Sequence, residues 1–340
     1  MFRAVFGLIF AGSILFAQAN QSAAIAQANL GVSLSQKGDY HAAIEAYKQA
    51  IAIDPNLPGI YLDLGLAYFK SGAFRQALAA FQKEDARAAS DRTKTLIAMS
   101  YFGLGEYKEA ASGLEPTAAT QPDNTEILYL LAKCYLWSGQ YDKSKDIFLK
   151  LLTRDPNSAP VHMLLGEAYD ADDRTPEAIA EFQAAIHADR NEPQAHFGLG
   201  YLFWKEKRYS EAEAQFHEAL RQAPDDPKAL AFLGDILLRN GKMQEAEADL
   251  KRAIQADDKL AMAHVDLGVI YSGEKNTKGA MEQFQAAIKD DAKRYDAHYK
   301  LARLYRELGR TADADAEFAI VMKLHEEQKA GPLMKISGPQ

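Results

Sequence analysis

The sequence predicts an all-α chain of nine tandem helical hairpins, and three observations predict it. A pattern of two helix-length segments returns about every 34 residues, giving units at 24–57, 58–90, 91–124, 125–158, 159–192, 193–226, 227–260, 261–294 and 295–328. Small and large residues keep their phase through all nine units. Glycine recurs in the turn between the two segments, and proline often closes the second, where it cannot continue a helix.

The sixth unit shows the logic most fully. Its first segment places Leu199, Gly200 and Phe203 on one face, and its second presents Ala212, Phe216 and Ala219 at i, i+4 and i+7. Gly200 and Ala212 are small where the two helices should approach most closely. Phe203 and Phe216 are large enough to fill the space on either side, and Pro224 closes the unit. The phase is general. The eighth position holds Gly31, Gly65, Ala98, Ala132, Gly166, Gly200, Gly234, Gly268 and Ala302, all small. The twentieth holds alanine in every unit except the fourth, where it is Ser144, and the twenty-fourth is Tyr47, Phe81, Leu114, Phe148, Phe182, Phe216, Leu250, Phe284 and Phe318.

This Leu-Gly-x-x-Tyr, Ala, Phe, Pro framework resembles the tetratricopeptide repeat (TPR) family, whose unit is 34 residues long. The resemblance covers Ala24 to about Gln328. It implies a right-handed α-solenoid, a TPR superhelix, in which the first helices line a concave surface. Each repeat then touches only its neighbours, so the core is a strip.

The elements follow in order. Residues 1–19 differ from the rest: Arg3 is their only charged side chain, Ala4 to Phe16 is apolar or small, and Ala17-Gln18-Ala19 has a small-x-small form. Thirteen such residues are short of the ~20 that span a bilayer, so the segment reads as a signal peptide and the chain as exported, periplasmic or secreted. The first unit is regular, with Gly38 ending its first helix and Pro55 its second. Gly72, Gly105, Gly139, Gly241 and Gly309 recur at the turn, replaced by Asp173, Lys207 and Lys275 in three units. The second unit is one residue short and lacks its closing proline. The third carries Gly113 and Pro116 inside its second helix, and an internal proline costs about 3 kcal/mol. Residues 84–122 therefore read either as a joint between repeats 1–2 and repeats 4–9 or as a local irregularity without motion. In the fifth unit Thr175-Pro176-Glu177 has the form of a helix start, a capping hydroxyl followed by proline. The ninth unit ends in a polar run suited to a solenoid end, and 329–340 reads as a flexible tail.

Composition narrows the function. Thirty-nine basic against 47 acidic residues give a net charge of −8 with no basic run, which argues against nucleic acid as a partner. Cys134 is the only cysteine, so no intramolecular disulfide forms. It shares its repeat position with alanines, serines and leucines, which marks it as a packed, inert thiol. His162, His196, His264 and His298 all occupy position 4 of their units. Equivalent positions lie a helix-packing distance of roughly 8–10 Å apart, too far to share a metal with bonds of about 2.0–2.1 Å, so they read as packing residues. The Asp170, Asp172, Asp173 cluster lacks the glycine of a calcium loop and has Arg174 at a ligand position. There is no phosphate loop, nucleophile elbow or paired metal motif. No enzyme activity, metal or cofactor is expected.

One feature exceeds the framework. Positions 5, 9, 12 and 13 of the first helices point away from the hairpin core, at ~100° per residue, yet many are apolar. They include Leu62, Leu66, Phe69, Met99, Phe102, Tyr129, Trp137, Met163, Phe197, Tyr201 and Trp204, with Lys133, Glu167 and Lys205 interspersed. The resemblance places these fourteen residues in a concave groove. The Lys and Asn set with which some family members grip a peptide carboxylate is missing. The expected function is a non-catalytic scaffold that binds a protein or an extended peptide in an apolar, aromatic groove. A structural subunit of an envelope or secretion assembly, using its outer ridges, is the alternative. On this reading Trp204→Ala should weaken a partner and leave the melting temperature almost unchanged.

Overall fold

The computed structural model describes residues 20–330, which form eighteen helices in consecutive pairs with no strand among the described residues. Residues 1–19, expected from the sequence to be a signal peptide, and residues 331–340 of the expected tail lie outside them. The helices are α1 (residues 20–36), α2 (Tyr40–Ile53), α3 (Ile60–Lys70), α4 (Phe74–Arg87), α5 (Asp91–Gly103), α6 (Tyr107–Thr120), α7 (Thr125–Trp137), α8 (Tyr141–Leu152) and α9 (Ala159–Ala171). They continue as α10 (Thr175–Ala188), α11 (Pro193–Lys205), α12 (Tyr209–Gln222), α13 (Pro227–Arg239), α14 (Met243–Ala256), α15 (Ala261–Gly273), α16 (Thr277–Asp290), α17 (Tyr295–Glu307) and α18 (Thr311–Ala330). Odd-numbered helices are the first of each repeat and even-numbered ones the second. The chain divides into two compact units at Ile147–Phe148, inside α8. Within each unit every hairpin packs on the next in chain order.

The contact that closes a hairpin is a ring against a missing Cβ. A Cβ built on Gly65 would stand 2.5 Å from the Phe81 ring, one on Gly200 2.9 Å from Phe216, and one on Gly268 2.6 Å from Phe284. The eighth position is thus small to admit the ring at position 24 of the same unit. The repeat pattern suggests Gly200 against Ala212, with Phe216 to one side. In the structure Phe216 lies directly over the glycine, and Phe81, Phe216 and Phe284 are fully buried. Close packing of this kind leaves no room for volume change.

Turns between paired helices need one left-handed residue, and Gly38, Gly72, Gly105, Gly139, Gly241 and Gly309 supply it with φ between 72° and 80°. Asp173, Lys207 and Lys275 hold the same conformation at φ 59°, 63° and 61°, so the geometry survives the loss of glycine at some conformational cost. Thr175 is not a cap. Arg174 is the N-cap residue, without a side-chain cap bond, and Thr175 is the first helical residue. The Arg174 guanidinium instead lies over the Tyr169 ring, 4.7 Å from its centre, and bonds Glu177.

The third repeat is irregular but unbroken. α6 runs continuously from Tyr107 to Thr120 with Pro116 inside it, so no helix break occurs there. Gly113 lets the helix approach α5, since a Cβ on it would stand 3.1 Å from that of Ala98. The missing proline of the second repeat is replaced by a capping box, in which Ser90 and Thr93 bond each other's backbone and Thr93 Oγ1 donates to Asp85 at 2.6 Å. The division between compact units falls outside the 84–122 stretch that the sequence marks as a joint. α18 extends to Ala330, two residues into the expected tail.

Cys134 is fully buried and its thiol is pushed up to about 12 by that burial, which removes the thiolate needed for reactivity. The four histidines do more than fill space. Nδ1 meets the side chain at position 23 of the same unit: His162 with Glu181 at 2.6 Å, His196 with Gln215 at 2.9 Å, His264 with Gln283 at 2.7 Å and His298 with Glu317 at 2.5 Å. Each Nε2 lies 3.0–3.2 Å from a carbonyl oxygen six residues upstream. Each ring therefore ties its first helix to its second helix and to the preceding turn.

Candidate functional site

The residues singled out by the sequence lie on the first helices of both compact units, and each unit holds its own cluster. In the first unit the site is built from α5, the start of α6, and α7. Phe102 and Trp137 have ring centres 5.2 Å apart, and Tyr107 lies 5.5 Å from Phe102 and 5.2 Å from Trp137. Lys133, one turn before Trp137 on α7, brings its ammonium to 4.7 Å from the Trp137 ring centre, 5.2 Å from Phe102 and 5.6 Å from Tyr129. At these distances a cation is attracted to each ring face. Trp137 remains 38% exposed, while Phe102, Tyr107, Tyr129 and Met99 are half-buried. Leu62, Leu66 and Phe69 of α3 are also half-buried, and Phe69 packs edge-on against Phe74, 5.3 Å away.

In the second unit the cluster spans α11 and α13. Tyr201 and Trp204 are stacked, their ring centres 6.3 Å apart, because residues three apart share a helix face. Phe232 of α13 receives them: it lies 5.0 Å from Trp204, 5.6 Å from Tyr201, 5.9 Å from Phe197 and 5.6 Å from Phe216. The Trp204 indole donates to Asp235 Oδ2 at 2.6 Å, and Arg239 Nε donates to the same oxygen at 2.7 Å. Neighbouring helices thus bury part of the stripe, and Trp204 in particular is held by packing and a hydrogen bond. Sequence reasoning missed Phe232, because it sits at position 6, outside the stripe, where other units carry a mixture of polar and apolar residues.

Charge borders both clusters. Lys205 donates to Asp170 at 2.9 Å. Burial works against its ammonium, but the Asp170 bond and charge outweigh this and hold its pKa above the ordinary lysine value. Burial lifts the Tyr201 phenol, with Asp170 adding to the effect and Lys205 opposing it. Met163 and Glu167 of α9 are half-buried on their helix. An aromatic face edged by lysine and carboxylate can bury apolar side chains and orient a charged backbone or side chain.

A family model described as the Cilia and flagella-associated protein 70 C-terminal domain matches residues 89–304. Two tetratricopeptide-repeat models match residues 31–72 and 296–327. No curated protein matches. Among solved structures the chain is similar to PilF of Pseudomonas aeruginosa, at 17% identity and a TM-score of 0.54, over 62% of this chain and 99% of that one. It is also similar to YrrB, described as a TPR protein with an unusual peptide-binding site, at 20% identity over 54% of this chain and 94% of that one, TM-score 0.43. MamA of Desulfovibrio magneticus RS-1 is 21% identical over 50% of this chain and 96% of its own, TM-score 0.43. At these identities the likeness concerns the fold alone. With more than half of its 340 residues inside one TPR model, and repeat models matching towards both ends, the chain belongs to the tetratricopeptide-repeat family.

Proposed function

We propose that this protein is a non-catalytic scaffold that binds another protein or an extended peptide on the aromatic faces of its first helices. The observation that carries this reading is the state of Trp137. It is one of the larger side chains of the protein, it stays 38% exposed, and it sits beside an ammonium and two further rings. Large aromatics that keep exposed surface in a rigid helical frame are the side chains that dominate protein interfaces. The fourteen residues from Leu62 to Lys205 supply two such faces, one in each compact unit. Trp137→Ala is expected to weaken a captured partner by ~2 kcal/mol, about thirtyfold in Kd, with only a small drop in melting temperature. A binding isotherm and a thermal melt of the same variant check it. Unchanged affinity would remove Trp137 from the interface.

Export belongs to the same proposal. Supporting it are the apolar run Ala4 to Phe16 and the Ala17-Gln18-Ala19 sequence. The mature chain is expected to begin at Asn20, in the periplasm or outside the cell. N-terminal sequencing of protein from the native host tests this, and a retained Met1 in a membrane fraction would end the cleaved-signal reading.

A further inference from the structure

Asp266 lies on α15, at position 6 of the eighth repeat, between α13 and α17. The residue as a whole is half-buried, but its Oδ2 is closed off from solvent and has no hydrogen-bond partner. Across from it on α13 is Asp235, which is 5% exposed and whose Oδ2 already accepts from both Trp204 and Arg239. A carboxylate with one oxygen closed off and lacking a donor is costly to ionise, and the charge of Asp235 adds to that cost.

The cations around it are committed elsewhere. From α13, Arg239 bonds Asp235 and lies 5.2 Å from the Tyr209 ring centre. From the entry to α17, Arg294 bonds Asp296 at 3.1 and 3.3 Å, so that end brings one positive and one further negative charge. α17 also carries His298, which is tied to Glu317 and the Ala292 carbonyl. α14 turns Lys251 to Glu247 and to the Tyr271 ring. α16 meets α15 through Gln283 and Asp290, both on His264. No donor in this set reaches Asp266 Oδ2.

We propose that Asp266 is a proton-controlled contact between α13 and α15: as a neutral acid it lets the two helices close, and as a carboxylate it repels Asp235 and loosens the Trp204 indole bound there. Burial pushes its carboxyl up to about 8, with Asp235 adding to the rise and Arg294 and Arg239 opposing it. The folded value lies above the unfolded one of about 3.9, so the folded chain keeps a proton that the unfolded chain releases. Stability from this group is complete below about pH 4, falls as pH rises, and is fully lost above about pH 8.

The test uses the full chain and compares denaturant unfolding of the wild type with Asp266→Asn from pH 5 to pH 9. Relative to the variant, the wild-type unfolding constant is expected to rise by up to about tenfold per pH unit, levelling off above about pH 8. Parallel pH profiles would overturn the proposal. A second readout covers a variant that fails to fold. In a Trp137→Phe background Trp204 is the sole tryptophan, and its emission should change with a midpoint near pH 8. Adding Asp235→Asn should move that midpoint down, because the neighbouring charge is gone. An emission that stays flat between pH 6 and 9, or a midpoint that Asp235→Asn leaves in place, would equally refute it.

Discussion

Phe216→Ala is expected to cost ~3–5 kcal/mol of unfolding free energy, the range for deleting a large buried aromatic. The ring is fully buried. It lies over Gly200, whose missing Cβ makes room for it, and stacks on Phe232 at 11° with ring centres 5.6 Å apart. It also contacts Phe197 at 5.8 Å. Removing it therefore opens a space bordered by both helices of its own repeat and by the first helix of the next. Because each repeat is stabilised mainly through its neighbours, the loss should spread to repeats on either side within the second compact unit. Chemical denaturation followed by far-ultraviolet circular dichroism checks the magnitude. A loss below ~1 kcal/mol would mean that the ring at position 24 does not close the hairpin. The reverse change is informative as well. Gly200→Ala keeps the ring but puts a Cβ against it, and the ring cannot move aside within a fully packed site, so that variant should also lose ~1–3 kcal/mol.

The hairpin fold was legible because it rests on a pattern repeated nine times. The small eighth position, the alanine at position 20 and the large side chain at position 24 each reflect one contact, and any single unit would have been ambiguous. What the pattern did not disclose was which atoms meet. Gly200 and Phe216 are sixteen residues apart, and only the packed hairpin shows that one makes room for the other. The histidines offer a clearer case of a signal present but unread. Glu or Gln stands at position 23 in Glu181, Gln215, Gln283 and Glu317, in the same four units that carry histidine at position 4, and in no other. Pairing the two columns would have turned four packing residues into four hydrogen-bonded clamps. Pro116 misled in the opposite direction. Local propensity reads it as a break, but buried Leu114, Thr117 and Ala118 on the same helix hold α6 together across it, so tertiary packing overrides the lost backbone bond. The stripe of aromatic residues was correctly located on the first helices. Its division into covered and uncovered parts was not legible, because covering depends on Phe232 and Asp235 from the following repeat.

Trp204→Ala is expected to destabilise the fold by ~3–4 kcal/mol, in contrast to the nearly unchanged melting temperature that the sequence pattern alone suggests. Two losses combine. The indole ring packs edge-on against Phe232 at 5.0 Å and stacks on Tyr201, and deletion of a tryptophan in such a setting costs ~3–5 kcal/mol when burial is complete. Trp204 is only partly buried, which places its packing loss at or below the bottom of that range. Its N–H is one of two donors to Asp235, and a buried carboxylate that loses a donor costs a further ~1–3 kcal/mol. Trp204→Phe helps to separate the terms: it keeps a ring against Phe232 but removes the donor and the second ring of the indole, so it should lose ~1–3 kcal/mol, less than Trp204→Ala. Thermal melts of the two variants decide the matter. If Trp204→Ala melts with the wild type, the ring contributes nothing to the fold and its whole face is free for a partner. If it melts as early as expected, a drop in binding by this variant cannot be assigned to a lost contact, since the face itself has been disturbed. Trp137, which keeps more of its surface exposed, is then the position at which binding and stability can be read apart.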